Sequence, residues 1–320
     1  MLRARLHENE IRRAIGIDGE GNRVVEGLAT LDAGEDRCLY FINKKINESI
    51  RKSLSLRHGC VVIAPIGFAD ELGDCVVLES PEPRAAIAKV LGFIRHEQRQ
   101  QPWIAERKVA SDAVISPLAF IDQRVEIGAG AVIEPFCSIE GDVSIGRGSI
   151  VRSGARLYSR VSLGDESVIG ANTVVGQPGY GFVRDESGNK TRIPHLGGVV
   201  IGSHVEIGAL STVESGTIGP TIIEDYAKVG DHVQIGHNVR IARSASLTGS
   251  VVVGGSAVIG EEVWVGMNSS IRDGRQVGER SLVGMDVSVQ NDLDNKSVAR
   301  APRPDVQKRS DDDDNMIGFA

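Results

Sequence analysis

The feature that most constrains this 320-residue chain is an aliphatic side chain that recurs at every sixth position through much of its length. A fixed period of six predicts a coil with three short strands in each turn, because equivalent side chains of successive turns then stack into one core. Antiparallel hairpins would instead show a period of two and irregular turns. The pattern therefore predicts a mainly β protein with a left-handed parallel β-helix. The first run of these positions is Ile115, Ile121, Ile127, Ile133, Ile139, Ile145, Val151, Leu157, Leu163, Ile169 and Val175.

The hexapeptide register breaks twice. Between Val175 and Ile201 the segment 176–199 shows no coil pattern, and a smaller slip follows at the sequence TIGPTI, residues 217–222. The pattern then resumes at Ile223 and continues to Val289. A regular solenoid has no structural use for a long insertion, so we expect 176–199 to be an ejected loop that carries function.

The rest of the chain is divided by its patterning. Residues 1–105 lack the repeat and alternate β-like with helix-like segments, which predicts a small α/β domain. The β-helix is expected over 106–298, and 299–320 is a polar tail, with four consecutive aspartates, that we expect to be partly disordered. The β-like segments are Val24–Ala29, Cys38–Ile42, Cys60–Ala64 and Cys75–Leu78, and the helix-like ones are about 45–56 and 82–98.

Composition excludes several classes of partner. A formal net charge of −7 argues against nucleic acid or an anionic membrane surface as the main partner. The four cysteines are scattered, no signal peptide or long apolar run is evident, and we expect a reduced, cytoplasmic protein without an integral membrane segment. Histidines and cysteines never cluster at ligand spacing, so no metal site is expected.

His237 is the strongest candidate for chemistry. It occupies the third place of its hexad, at a predicted corner of the coil, where it is available to solvent or to a neighbouring subunit. Attack of an amine on a thioester needs a proton acceptor with a pKa near neutral, and histidine meets that need. A surface histidine on a turn is the alternative, and position alone does not decide between them.

Three segments give the chain a resemblance to the UDP-3-O-acyl-glucosamine N-acyltransferases of lipid A biosynthesis. They are LYFINKKI (39–46), GQPGYGF (176–182) with IPHLGGVVIG (193–202), and VQIGHNV (233–239). The resemblance covers nearly the whole chain. It implies a homotrimer that acylates the amine of a nucleotide-linked amino sugar, with His237 as the general base.

The same resemblance assigns roles to further residues. Tyr40, Asn43 and Lys45 would hold the nucleotide, with Tyr40 stacking on the base, and Tyr180 and Phe182 would line the site. His195 would contact the sugar or its phosphates. Glu214 would either orient the catalytic histidine or bind the amino sugar.

The chain also departs from the family pattern. The family's stacking tyrosine is replaced by Ile46, the aspartate of its glycine-rich loop by Pro178, and a second histidine by Gly274. These losses favour a relative that acylates another nucleotide-linked amino sugar, with acetyl-CoA as the donor, over the lipid A enzyme with its acyl carrier protein. Related acetyltransferases need only one histidine together with main-chain N–H groups.

Residues beyond His237 are candidates for holding such a donor. Gly255, three hexads further on, would let a pantetheine arm approach the backbone. Arg272, Arg275 and Arg303 would bind the phosphates of coenzyme A. A glycine in a tight corner and solvated surface charges are the alternative interpretations.

Two alternatives to an acetyltransferase remain open. One is the lipid A enzyme itself, which would take a 3-hydroxyacyl group from acyl carrier protein. The other is a non-catalytic hexapeptide scaffold, which His237 beside an ejected GYGF loop disfavours.

Overall fold

The structure is a computed structural model, and it describes residues 1–42, 48–68, 72–100, 108–184 and 187–302. Of the residues discussed above, Asn43, Lys45, Ile46, Arg303 and the rest of the tail from 303 to 320 lie outside these ranges.

An α/β unit forms the N-terminal part of the chain. Its five strands lie side by side in chain order, the first two antiparallel and the other neighbours parallel. The four β-like segments and both helix-like segments of the sequence are confirmed, whereas the first strand and the first helix were missed. The strands are β1 Leu2–His7, β2 Val24–Leu28, β3 Cys38–Phe41, β4 His58–Pro65 and β5 Asp74–Ser80, and the helices are α1 Glu8–Ile15, α2 Glu48–Ser55 and α3 Pro83–Gln100.

The missed helix α1 has clear end signals. The main-chain N–H of His7 donates to Glu10 at 2.6 Å, and Nδ1 of His7 accepts from the N–H of Asn9 at 3.3 Å. This reciprocal cap satisfies N–H groups that have no partner inside the helix. Gly16 ends the helix in the left-handed region at φ +74°. Histidine in the capping position is why the usual Ser, Thr or Asp signal was absent from the sequence.

The remainder of the chain winds into a left-handed parallel β-helix with three sheets, as predicted. Strands of one sheet pair in parallel with the equivalent strands of the turns before and after. Sheet one contains Val114–Ile115, Val132–Ile133, Ile150–Val151, Val168–Ile169, Glu206–Ile207, Lys228–Val229, Ser246–Leu247, Trp264–Val265, Leu282–Val283 and Val298–Ala299. Sheet two contains Phe120–Ile121, Ser138–Ile139, Arg156–Leu157, Val174–Pro178, Thr212–Ser215, Gln234–Ile235, Val252–Val253, Ser270–Ile271 and Ser288–Val289. Sheet three contains Lys108–Val109, Glu126–Ile127, Val143–Ile145, Val161–Leu163, Val199–Ile201, Thr221–Ile223, Arg240–Ile241, Val258–Ile259 and Gln276–Val277.

The interior of the coil is built as the period of six requires. From Ile121 onward the aliphatic positions are buried in a single core cluster, together with the small or valine residues four places after them, such as Ala131 and Ala155. Corner residues adopt left-handed backbone angles, and the exposed column His232, Ser250, Asn268 and Asp286 does so at φ 57–61°. His232 is therefore a corner residue of the scaffold.

Both breaks of the register fall on one corner of the coil, between sheets two and three. The chain leaves sheet two after Pro178 and enters sheet three at Val199, and one turn later it bulges between Ser215 and Thr221. His237 lies at this same corner on the following turn. The excursion contains an antiparallel hairpin of Phe182–Arg184 and Lys190–Arg192.

The excursion is anchored at both of its sides. Ile193 and Leu196 are buried in the hydrophobic core of the α/β unit, together with Leu91 and Ile94 of α3. On the coil side, the N–H of Gly197 donates to the carbonyl oxygen of Gly216 at 2.8 Å. The excursion is thus fixed between the α/β unit and the corner that carries His237.

Candidate active site

His237 projects from the corner between Gln234–Ile235 and Arg240–Ile241, and it is half-buried. Its imidazole covers Gly255 of the next turn, where a Cβ atom would lie 2.7 Å from Nε2 of His237. Glycine is required at 255 because any side chain would collide with this ring. His237 therefore lies over one side of Gly255, and the approach of a pantetheine arm to the main chain there stays a prediction.

Asn238 determines which nitrogen of His237 carries the proton. The amide oxygen of Asn238 accepts from the main-chain N–H and the hydroxyl of Thr217, each at 3.0 Å, and its amide nitrogen donates to the carbonyl of Gly219 at 2.9 Å. These bonds fix the oxygen as the atom that faces Nδ1 of His237 at 3.2 Å. Since an amide oxygen only accepts, Nδ1 carries the hydrogen of the neutral ring. The lone pair is therefore on Nε2, the atom above Gly255.

Glu214 holds the backbone of the same corner. Its carboxylate accepts from the main-chain N–H of His237 at 3.0 Å, and the side chain is buried with 7% exposure. Its carbonyl oxygen accepts from the hydroxyl of Thr221 at 2.7 Å, and that hydroxyl also accepts from the N–H of Asn238 at 2.8 Å. Glu214 thus contacts the main chain of His237, and in this arrangement no hydrogen bond joins its carboxylate to the imidazole.

His195 lies beside His237, with ring centroids 4.9 Å apart and planes inclined by 57°. It is 7% exposed, and its Nδ1 donates to the carbonyl of Ile193 at 2.9 Å, which leaves the lone pair on Nε2. Burial, reinforced by His237, lowers the pKa of His195 to about 4. His195 is therefore neutral at physiological pH and presents an acceptor nitrogen next to the candidate base.

An aromatic ledge formed by Tyr180 and Phe182 borders these histidines. The two rings meet edge to face with centroids 5.1 Å apart, and Tyr180 is 77% exposed. The guanidinium of Arg192 lies 4.6 Å from the Phe182 centroid and donates to the carbonyl of Gly179 at 2.8 Å. A Cβ atom on Gly179 would lie 2.7 Å from the Glu214 carboxylate and 2.9 Å from Cβ of His237, so the main chain that leads into the ledge passes close to His237. The structure therefore brings Tyr180, Phe182, His195, Glu214 and His237 together.

Tyr40 is placed differently from its sequence prediction. The ring is 1% exposed in the core of the α/β unit, and its hydroxyl donates to the carbonyl of Glu35 at 2.5 Å and accepts from the N–H of Glu35 at 2.7 Å. Burial raises its pKa to about 12. A ring enclosed on both faces has no face left for a base, so the prediction that Tyr40 stacks on the nucleotide is corrected. Asn43 and Lys45 remain predictions outside the described residues.

The arginines predicted to bind a donor lie two turns beyond His237, at the same corner. Arg272 is exposed and lies 3.9 Å from Asp273, and Arg275 lies 3.5 Å from Asp292. An exposed pair such as that of Arg272 is weak, so the Arg272 side chain is free to exchange partners. Their binding of donor phosphates remains a prediction, as does that of Arg303.

Sequence reasoning missed Asn238 and Thr217. Asn238 follows the catalytic candidate directly, and Thr217 begins the TIGPTI slip, so both lay inside segments already singled out. Their roles depend on contacts between successive turns at the corner, which the period of six places only to within a few residues. A polar residue next to a corner histidine is the signal that was available.

The buried aliphatic core and the three parallel sheets place this chain in the class of hexapeptide-repeat β-helix proteins, and its histidine site lies at an interrupted corner of the coil. Residues 124–159 match the family model described as bacterial transferase hexapeptide (six repeats). Among the described residues, no helix is long and apolar enough to cross a membrane, and no group of three or more His, Cys, Asp or Glu could hold a metal ion.

Two curated relatives that carry the same name are similar to this chain. The chain is 40% identical over 223 residues to a UDP-3-O-acylglucosamine N-acyltransferase of Bradyrhizobium, covering 66% of this chain and 62% of that protein. It is 43% identical to the protein of the same name from Fusobacterium nucleatum, covering 66% and 63%. The chain is thus a relative of the UDP-3-O-acylglucosamine N-acyltransferases, as its motifs predicted, and spans somewhat less than two thirds of their length.

Solved structures agree on the fold. A UDP-N-acetylglucosamine O-acyltransferase from Moraxella catarrhalis matches with a TM-score of 0.54 and 23% identity, over 64% of this chain and 78% of that chain. A UDP-N-acetylglucosamine acyltransferase from Francisella novicida matches with a TM-score of 0.51 and 23% identity, over 56% and 63%.

Proposed function

We propose that the protein transfers an acyl group from a thioester to the amine of a UDP-linked 3-O-acylglucosamine, with Nε2 of His237 as the general base. The observation that carries this proposal is the bond from Nδ1 of His237 to the fixed amide oxygen of Asn238, which leaves Nε2 as the basic atom. The names of the relatives support the sugar substrate.

The reaction forms one bond and breaks another. The sugar amine attacks the thioester carbonyl carbon while Nε2 of His237 takes the amine proton, and the tetrahedral intermediate then expels the thiolate. The imidazolium returns its proton to the leaving sulfur, so amide and free thiol are the products. Asn238 supports the imidazolium through the Nδ1 bond, because its oxygen accepts in both protonation states.

A donor for the developing oxyanion is present beside the base. Within the described ranges, the main-chain N–H of Gly255 has no hydrogen-bond acceptor, whereas its neighbours Gly254 and Ser256 both donate. Main-chain N–H groups held rigidly are effective at stabilising a tetrahedral oxyanion. We assign this role to Gly255, which deepens the sequence expectation that coil N–H groups polarise the carbonyl.

The acyl donor follows from the substrate. Because the relatives carry the name of the lipid A enzyme, that alternative takes precedence over acetyl-CoA, and we propose a 3-hydroxyacyl group on acyl carrier protein as the donor. We also propose that the chain assembles as a homotrimer.

The test is a release assay for thiol. Purified protein is incubated with UDP-3-O-acylglucosamine and either 3-hydroxyacyl carrier protein or acetyl-CoA, and the amide product is verified by mass spectrometry. We expect turnover with the carrier protein, and a loss of about 10²- to 10⁴-fold in kcat for His237→Ala. Undiminished turnover in His237→Ala would refute the assignment of His237 as the general base. Higher turnover with acetyl-CoA would favour the acetyltransferase hypothesis of the sequence analysis.

A further inference from the structure

A cavity adjoins the candidate active site, and His195 separates it from His237. It has a volume of about 900 Å³ and lies between the α/β unit and the corner of the coil that precedes the excursion. The α/β unit contributes Arg3 and Arg95, and the coil contributes Arg124 and Arg160. His195 forms part of the wall.

The arginines of this cavity are incompletely neutralised. Arg124 pairs with Asp122 at 3.2 Å and approaches Asp142 at 3.8 Å. Within the part of the chain that the structure describes, Arg3, Arg95 and Arg160 form no ion pair. The cavity's carboxylates are Glu140 and Asp142, so its formal charge from these side chains is positive.

Arg160 is the most constrained of these cations. Its guanidinium donates to the carbonyl of Leu196 at 3.1 Å and to the side-chain oxygen of Gln98 at 2.5 Å, and both acceptors are neutral. Burial lowers its pKa from the ordinary value, because charge is costly away from water. A guanidinium has five N–H donors, so these two bonds leave donors for an anion.

The position of the cavity relates it to the base. The carbonyl held by Arg160 belongs to Leu196, the residue after His195, and the His195 ring lies 4.9 Å from that of His237. His195 therefore forms a wall that the cavity shares with the candidate base.

We propose that this cavity binds the diphosphate of the nucleotide sugar, with Arg160 and Arg95 as its principal ligands, an inference that rests on the proposed function. Diphosphate is favoured because planar guanidinium groups bind phosphoryl oxygens in pairs, and four arginines line this one cavity. The diphosphate bridges base and sugar, so it fixes the position of the amine.

The test measures binding directly, by isothermal titration of the full chain with UDP, uridine and inorganic pyrophosphate. We expect UDP to bind more tightly than uridine, and Arg160→Gln and Arg95→Gln each to weaken UDP and pyrophosphate by about tenfold or more while uridine is unaffected. Arg147→Gln is the matched control, since this exposed arginine pairs with Asp165 at another corner. Thermal melting establishes that each variant is folded.

The outcomes separate this inference from the proposed function. It is overturned when wild-type protein binds UDP no more tightly than uridine, when the cavity variants bind like wild type, or when Arg147→Gln weakens binding equally. Displacement of pyrophosphate by coenzyme A but not by UDP assigns the cavity to the acyl donor and also overturns it. Arginine-dependent pyrophosphate binding without acyl transfer supports the cavity and counts against the proposed function alone.

Discussion

At the scale of single residues, the state of one imidazole depends on an amide side chain. Asn238 is held at both ends, by Thr217 and by Gly219, and so presents only an acceptor to His237. Replacing it with alanine frees the imidazole to adopt either tautomer. We expect Asn238→Ala to lower kcat by about 10- to 100-fold with a smaller change in KM. Nitrogen NMR of His237 should show protonated Nδ1 in the wild type and mixed tautomers in the variant; one tautomer in both would contradict the assignment.

Gly255 provides a steric test of the same ring. A methyl group there would lie 2.7 Å from Nε2 of His237, so Gly255→Ala must displace the imidazole or block it. We expect loss of nearly all turnover with little change in the melting temperature. Gly249→Ala is the matched control, because it has the same place in the preceding hexad and its Cβ atom would lie 3.5 Å from the carbonyl of Asp231, an ordinary contact. Equal activity in the two variants would contradict the position of the His237 ring above Gly255.

His195 gives the stability of the protein a pH dependence. Its pKa is about 4 in the folded chain and about 6.5 when unfolded, so the unfolded state binds the proton more readily. The stability associated with a neutral His195 is complete above pH 6.5 and is lost as pH falls towards 4, by roughly 3 kcal/mol at most. Urea unfolding at pH 7 and 4.5 should show a smaller pH difference in His195→Gln than in wild type. An unchanged difference would contradict burial of a neutral histidine.

At the scale of elements, the excursion after Pro178 is as important as the coil it interrupts. Ile193 of this segment is buried in the core of the α/β unit, while its carbonyl holds His195. We expect Ile193→Ala to destabilise the protein by about 2–5 kcal/mol and also to lower activity, because the side chain anchors the wall of the site. Val200→Ala, at an exposed position on the coil, should change stability by less than about 0.5 kcal/mol. Similar losses in both variants would show that the anchor is unimportant.

The elements also show what sequence could predict. The period of six predicted the coil because every turn repeats the same burial, and strands β2 to β5 were readable from their apolar runs. The hairpin Phe182–Arg184 with Lys190–Arg192 was not, because its stability comes from packing on a distant α/β unit rather than from a local pattern. Tyr40 was misplaced for a related reason: a motif gives the order of residues, whereas burial decides which face of a ring remains open.

The candidate site, too, could be predicted from the sequence only in part. His237, His195, Glu214 and the Tyr180–Phe182 pair were predicted from motifs and do lie together. The bonds that define their chemistry join successive turns at one corner, through Asn238 and Thr217. Such contacts depend on how far each excursion displaces the backbone, and that distance is not contained in the spacing of aliphatic residues.

At the scale of the whole molecule, one face of the coil has an unusual surface. Trp264, Leu282 and Val298 point outward from three neighbouring strands of sheet one, and all are exposed. An exposed apolar stripe of this kind is typical of a subunit interface. We expect light scattering to give about three times the chain mass of 34.2 kDa, and Trp264→Glu to reduce it. Gln276→Glu, at an outward position of sheet three, should leave the mass unchanged. A monomer in the wild type would refute the proposed trimer.

The excursion and the bulge leave the coil at a single corner and rejoin it in register with the neighbouring strands. The number of residues inserted at this corner therefore does not change the spacing of the turns. Extra residues at this corner do not change the packing of Leu247 or Ile259 in the core of the following turns. One residue added within Gln234–Ile235, by contrast, would turn inward-facing side chains towards solvent. The corner is consequently the place where descendants of this chain, natural or engineered, can exchange loops and so change the lining of the candidate site, while the rest of the coil stays unaltered.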